Sequence, residues 1–181
     1  YYLNRYGLSS FCVESCVSYC ALLENFKMLA LDLQTTYRAA TIAQIPALLE
    51  LVQEFHEFEE LAFDSTRDRK VLEEIISTPS IGRIWLICES GQAIGYVIVT
   101  FGYSLEFRGR EACIDELYLR PAYRRHGIGS KTLQFVESQC RSLGVNCLNL
   151  EVDRDNAAAQ SVYRKSGFSD RGYCLMTKEI A

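Results

Sequence analysis

The chain has 181 residues, 49% apolar and 23% charged, which is enough for one domain with a substantial core and too ordinary for a collagenous or disordered chain. Nineteen basic against twenty-three acidic side chains leave a formal charge of −4, so no overall positive field draws it to a phosphate backbone and no nucleic-acid partner is expected. The apolar runs are strand-sized, short of the roughly 18 residues a membrane-spanning helix needs, and no membrane partner is expected either.

Residues 1–27 are rich in Tyr, Ser and Cys, begin without methionine and run directly into Met28. Residues 1–35 therefore read as an N-terminal extension, not native or loosely docked, and residues 36–181 as the domain. A secretory signal fits poorly, because Glu14 interrupts the front, Glu24 closes the back and no small-residue cleavage pattern follows. Cys12, Cys16 and Cys20 fall at i, i+4 and i+8, one face of a helix, but no fourth ligand stands near them and a metal site is not expected.

From residue 36 the chain alternates strands and helices. Residues 37–40 read as a short strand, and Thr41 with Gln44 as a capping box opening a helix whose Ile45, Leu48, Leu49 and Val52 share one face. A second helix is expected over 69–76, stopped by Thr78-Pro79. The β-branched and aromatic runs 84–89 and 93–101, separated by Ser90-Gly91-Gln92, predict an antiparallel hairpin, and 113–119 a further strand. Leu133, Val136, Cys140 and Leu143 line one face of a helix after Gly127–Gly129, with Gly144 as its C-terminal cap. A strand over 145–152 follows. Asp155 or Asn156 caps a helix reaching Lys165, Gly167 ends it, and 173–178 is the last strand. The order β α α β β β α β α β, with no repeat and no long linker, makes one mixed α/β domain of the α+β kind.

The eight cysteines are far below disulfide-scaffold density, and Cys88, Cys113, Cys140 and Cys147 sit among apolar neighbours, so a reducing, cytoplasmic setting is expected. With only His56 and His126 as imidazoles and no Cys-x-x-Cys, no metal is expected.

Arg124-Arg125-His126-Gly127-Ile128-Gly129 lies between a strand and a helix, where glycines let backbone N–H groups converge and the helix start adds partial positive charge, a design suited to phosphate. A P-loop needs Gly directly before Lys, but Ser130 separates Gly129 from Lys131. A dinucleotide fingerprint wants Gly or Ala where Thr132 stands.

Arg124, Gly127 and Gly129 match the acetyl-CoA motif of the GNAT family of N-acetyltransferases, and the chain resembles that family through residues 114–123 upstream and through Asn156, Ala159, Tyr163, Gly167 and Phe168 downstream. The resemblance covers roughly residues 36–180, and the glycine-turn region is similar to diamine and polyamine acetyltransferases. It implies a GNAT-like mixed central sheet, with helices on both faces, splayed between strands 113–119 and 145–152 to admit the pantetheine arm of acetyl-CoA. That cosubstrate would pair with the backbone of Leu117 and Leu119 beside Tyr118. Its pyrophosphate would rest on Arg125, His126, Gly127, Ile128, Gly129 and Ser130 next to Arg124, with Asn156 and Ala159 contacting it from the following helix.

Acyl transfer to an amine requires an unprotonated nucleophile, stabilisation of the carbonyl oxygen and a proton for the departing thiolate. The family pattern places Tyr163 beside the sulfur, so it is the candidate acid, and the Leu117 N–H would serve the carbonyl. Neighbours in a regular strand point to opposite faces, so only one of Asp115 and Glu116 can face the amine directly. The resemblance to diamine and polyamine acetyltransferases, where Asp115 occupies the place of a proposed catalytic carboxylate, implies Asp115 as the first candidate base and Glu116 as the second. A water-borne proton path stays open. The bland alternatives are a core tyrosine at 163, a helix cap at Asn156, a solvated pair at Arg124 and Arg125, and a surface contact or helix-end residue at His126 and His56. Glu54, Glu57, Glu59 and Glu60 read as a wet helix face which, turned toward the cleft with Glu106 and Glu111, would attract a cationic amine. Tyr103, Ser104 and Glu106 lie in a loop able to shape that pocket. The expected activity is acetyl transfer to a primary amine of a small molecule or a protein, by direct attack in a ternary complex; a silent acyl-CoA-binding module is the alternative, and a homodimer the expected assembly.

Overall fold

A computed structural model describes residues 35–180, so the expectations for residues 1–27, Cys12, Cys16 and Cys20 among them, lie outside the described residues. Strand β1 (Thr36–Ala39) leads to Thr41, whose N–H donates to Gln44 Oε1 at 2.9 Å. That capping box opens a 3-10 turn (Ile42–Gln44) and then helix α1 (Ile45–Phe58), begun by Pro46 in its first turn, where a missing N–H costs nothing. Helix α2 (Ser65–Ser77) begins earlier than its apolar periodicity shows. Asp64 accepts from the N–H groups of Thr66 and Arg67 at 2.9 and 3.1 Å, satisfying two donors that the helix itself cannot.

Strands β2 (Gly82–Glu89) and β3 (Gln92–Ser104) join through Ser90 and Gly91, both at positive φ, the two-residue turn whose twist matches a hairpin. Strand β4 (Gly109–Leu119) follows, then a 3-10 turn (Pro121–Tyr123), helix α3 (Ile128–Ser142), strand β5 (Cys147–Leu150) and helix α4 (Ala157–Lys165). The sheet order is β1-β2-β3-β4-β5, with β1 to β4 antiparallel and β5 parallel to β4.

Strand alternation sends side chains to two cores. Ile84, Leu86, Cys88, Tyr96, Ile98 and Tyr118 pack against the buried face of α1 and α2. Trp85, Val97, Val99, Ala112 and Ile114 pack against Leu133, Val136 and Cys140 of α3, with Tyr163 and Phe168 at the margin. Each large aliphatic side chain so removed from water contributes about 1.5–3 kcal/mol. Helices therefore cover both faces, as expected of the GNAT-like α+β sheet.

The register explains the opening. Glu111 to Ile114 pair with Cys147 to Leu150, and there the parallel ladder ends while β4 runs on to Leu119. On the other side Ile98 lies opposite Glu116 and Val99 opposite Ile114, so Asp115 is a β-bulge with no partner. The splay begins at this bulge. β5 is shorter than the expected 145–152 because its pairing lasts only while β4 is beside it.

The expected strand over 173–178 is not formed: residues 169–180 carry neither helix nor strand, and Tyr173, Leu175, Met176 and Ile180 are exposed. A strand is a paired state, and no ladder forms with this segment. Asp170 Oδ1 accepts the Gly172 N–H at 2.7 Å in a local turn, and Arg171 pairs with Glu106, fixing the start of the tail to the β3–β4 turn.

Candidate active site

The open edge of β4 presents main-chain groups. The Arg120 N–H donates to Ile94 O at 2.9 Å, which sets the phase of the antiparallel ladder: Glu116 and Tyr118 direct their backbone groups toward β3, and Leu117 and Leu119 direct theirs toward the gap left by β5. These are the two residues the resemblance assigns to the pantetheine arm. The Leu119 carbonyl already accepts from Arg124 Nε at 2.8 Å, and the Arg124 guanidinium lies 4.5 Å over the Phe58 ring. Arg124 is thus partly a brace between β4 and α1.

Beyond that brace the chain turns at Arg125 (φ +66) and Gly127 (φ +78) into α3. Ile128 is buried against Ile87 and Ile94, which pins the helix start to the sheet. The first intrahelical donor is Lys131, to Gly127 O at 3.1 Å, so among the described residues the amides of residues 125–130 have no backbone acceptor. A Cβ built at Gly127 or Gly129 meets no atom within 4 Å, and Arg125 and His126 are exposed beside them. Converging free amides, a helix N-terminus and two basic side chains fit a pyrophosphate.

On α4 Asn156 Oδ1 accepts from the Ala159 N–H at 3.0 Å, so Asn156 caps its helix and Ala159 follows half-buried. Tyr163, one turn further, is half-buried at the edge of the core, its ring 6.0 Å from that of Phe168, and its hydroxyl has no hydrogen-bond partner among the described residues. Burial raises its pKa above 10, and the Glu59 carboxylate at the end of α1 raises it further. A phenol so placed stays protonated through neutral pH and can donate.

The carboxylates differ in what surrounds them. Asp115, at the bulge and exposed, has a carboxyl whose partial desolvation raises its pKa above the usual value. Glu116 is turned toward the α1 side of the sheet: Tyr96 O–H donates to its Oε2 at 2.6 Å, and His56 Nε2 lies 3.4 Å from its Oε1. Burial above all, and then the adjoining Glu116, push the Tyr96 pKa far up, so its proton stays in place as a donor. His56 is accordingly an inward-facing residue, 13% exposed, and no surface histidine. Of the acidic set on α1, Glu54 is held by Arg120 through contacts of 2.7–3.1 Å and by Tyr118 O–H at 3.2 Å, which lowers its pKa, while Glu57, Glu59 and Glu60 are exposed. Glu111 accepts from Asn149 at 3.2 Å and Glu106 pairs with Arg171. Tyr96, His56 and Asp68 carried no local signal, since Tyr96 and His56 meet Glu116, and Asp68 meets His56, only through tertiary packing.

Among the described residues no three His, Cys, Asp or Glu side chains are grouped to hold a metal ion, and no helix is long and apolar enough to cross a membrane.

A model of the acetyltransferase (GNAT) family matches residues 45–168, from the start of α1 to Phe168. The thialysine N-epsilon-acetyltransferase of Bos taurus is 29% identical over 136 residues, 68% of this chain and 77% of that protein. An integron cassette protein from the mobile metagenome of Cole Harbour Salt Marsh is 32% identical, with a TM-score of 0.73 over 80% of this chain and 90% of that one. A structure described as a predicted acetyltransferase with acetyl-CoA, from Clostridium acetobutylicum, shares the fold at a TM-score of 0.68, covering 80% of this chain and 96% of its own, at 18% identity. Matched over most of its length and built around an open strand edge beside a turn of free amides, this chain belongs to the acetyltransferase (GNAT) family and is an acetyl-CoA-dependent N-acetyltransferase.

Proposed function

We propose that the acceptor is a primary amine on a small cationic molecule, attacked directly with donor and acceptor held together. The observation that carries this reading is the gap between β4 and β5, which starts at the Asp115 bulge, with Glu116 the next residue along β4. The amides of residues 125–130 hold the pyrophosphate, and Asn156 and Ala159 flank it from α4. The Leu117 N–H steadies the carbonyl oxygen as charge develops there. Asp115, with Glu116 as second choice, takes the ammonium proton directly or through water and frees the nitrogen lone pair. As the adduct collapses and the carbon–sulfur bond breaks, Tyr163 gives its proton to the departing sulfur and regains, through solvent, the second proton that the nitrogen sheds on becoming an amide. Acidic side chains at 57, 59, 60 and 116 favour a cationic acceptor, as does a relative named for an amine on thialysine.

The catalytic domain in this reading is residues 36–181, preceded by the extension of residues 1–35, and the working form is a cytoplasmic homodimer. All five cysteines among the described residues are free, which supports a reducing compartment, and paired copies are the commonest soluble assembly.

Acetyl-CoA-dependent thiol release with thialysine, diamines, aminoglycosides and a lysine peptide tests the reading. Turnover with small amines is expected. Release with the peptide alone would move the acceptor to proteins, and binding of acetyl-CoA without release would make the chain a silent acyl-CoA module.

A further inference from the structure

Glu116 is held from two directions. Tyr96, with no solvent exposure, donates from the adjacent strand to Oε2 at 2.6 Å, and His56 of α1 faces Oε1 through Nε2 at 3.4 Å. The other imidazole nitrogen, Nδ1, is buried without a hydrogen-bond partner and lies 4.0 Å from Asp68 Oδ2 on α2. The ring itself is packed edge-on to Phe63, with centroids 6.1 Å apart. Two carboxylates from different elements thus bracket one imidazole, and the aromatic wall fixes its plane.

A carboxylate on a free glutamate samples many rotamers. Pinned by Tyr96 and His56, each oxygen of Glu116 keeps a lone pair free in a fixed direction, one residue past the bulge at which the sheet opens. An ammonium group needs such an acceptor, and pre-ordering it removes the entropy that binding would otherwise spend on the side chain.

We infer that Glu116 is the seat of the acceptor's ammonium group and that His56 is the positioning residue that holds it there. The inference rests on the amine-acetyltransferase reading and adds to it a specificity element spread over α1, β3 and β4. Asp68 backs the imidazole from the side away from Glu116.

The test combines kinetics and spectroscopy on the full chain, with thialysine as acceptor. His56→Ala should raise the KM for thialysine about tenfold or more, leaving kcat within about threefold and the calorimetric Kd for acetyl-CoA unchanged. His56→Gln, whose amide can still donate to Glu116, should restore KM to within about threefold of the parent. Should His56→Ala fail to fold, His56→Asn replaces it, since its shorter amide stops short of Glu116. An unchanged KM, or a glutamine variant as impaired as the alanine one, overturns the inference. With only two histidines in the chain, nitrogen-15 spectra read the same contact without turnover. A protected Nε2–H resonance of His56 should be present and lost in Glu116→Ala. Its absence from the parent protein overturns the inference even if acetylation occurs; its presence in a protein that acetylates no amine puts the failure in the acceptor reading.

Discussion

Gly129 separates binding from folding with unusual clarity. It sits in the first turn of α3 outside the left-handed region, and a Cβ there meets nothing within 4 Å. Replacing glycine by alanine at such a position stabilises a fold by about 0.4–1 kcal/mol, mostly by restricting the unfolded chain. For a domain of this size that is a rise in melting temperature of about 1–4 °C. A larger side chain, as in Gly129→Leu, keeps a good helix former but occupies the space over the free amides of residues 125–130. One lost hydrogen bond to a charged phosphate is worth about 1.5–3 kcal/mol, so the affinity for acetyl-CoA should fall about 10- to 100-fold. Scanning calorimetry and titration calorimetry on the parent, Gly129→Ala and Gly129→Leu read the two effects apart. Unchanged affinity in a folded Gly129→Leu variant would refute the placement of the pyrophosphate; a collapse in melting temperature would refute the open space above the turn.

Tyr163→Phe should fold normally, since the hydroxyl has no partner among the described residues, and keep its affinity for acetyl-CoA while turnover falls about 100-fold or more. Because the Tyr163 pKa lies above 10, the parent's pH–rate profile should show no alkaline loss from this group below pH 10. Asp115 has a folded-state pKa above its unfolded value, so its contribution to stability is complete below that unfolded value and is lost as pH rises through the folded one. At neutral pH the ionised form is therefore a burden, and Asp115→Asn should melt no lower than the parent while turning over more slowly. Glu54 has the opposite sign: its pKa is lowered, so the pair with Arg120 is fully stabilising above about pH 4.5 and is lost as pH falls through the folded value. Discounted for solvent, Glu54→Gln should cost about 0.5–1 kcal/mol in denaturant titrations at pH 7 and nothing near pH 2.

Much of the fold was legible because its signals are local. Thr41 with Gln44, the Ser90-Gly91 turn and the periodic faces of α1 and α3 each name an element within a few residues. The glycine turn was legible for the same reason, since its free amides follow from one short stretch of chain. What escaped depends on partners far along the sequence. The bulge at Asp115 exists only in the register between β3 and β4, and it exempts that residue from the strict alternation that adjacent strand positions imply. The Glu54–Arg120 pair and the His56–Glu116 contact each span some sixty positions. The tail over 173–178 has the composition of a strand, but composition does not supply the ladder that a strand requires.

The brief parallel ladder between Glu111–Ile114 and Cys147–Leu150 has a consequence for how the molecule breathes. Among the described residues after 146, those few rungs are the whole share in the sheet's ladder, helped by the packing of Tyr163 and Phe168 and by the Arg171–Glu106 pair, whereas β2, β3 and β4 share long antiparallel seams. Deuterium should therefore invade α4 and β5 through openings that leave the antiparallel strands protected, making Tyr163 part of the first cooperative unit to loosen and tying occupancy of the neighbouring turn to the local stability of the chain's final fifth.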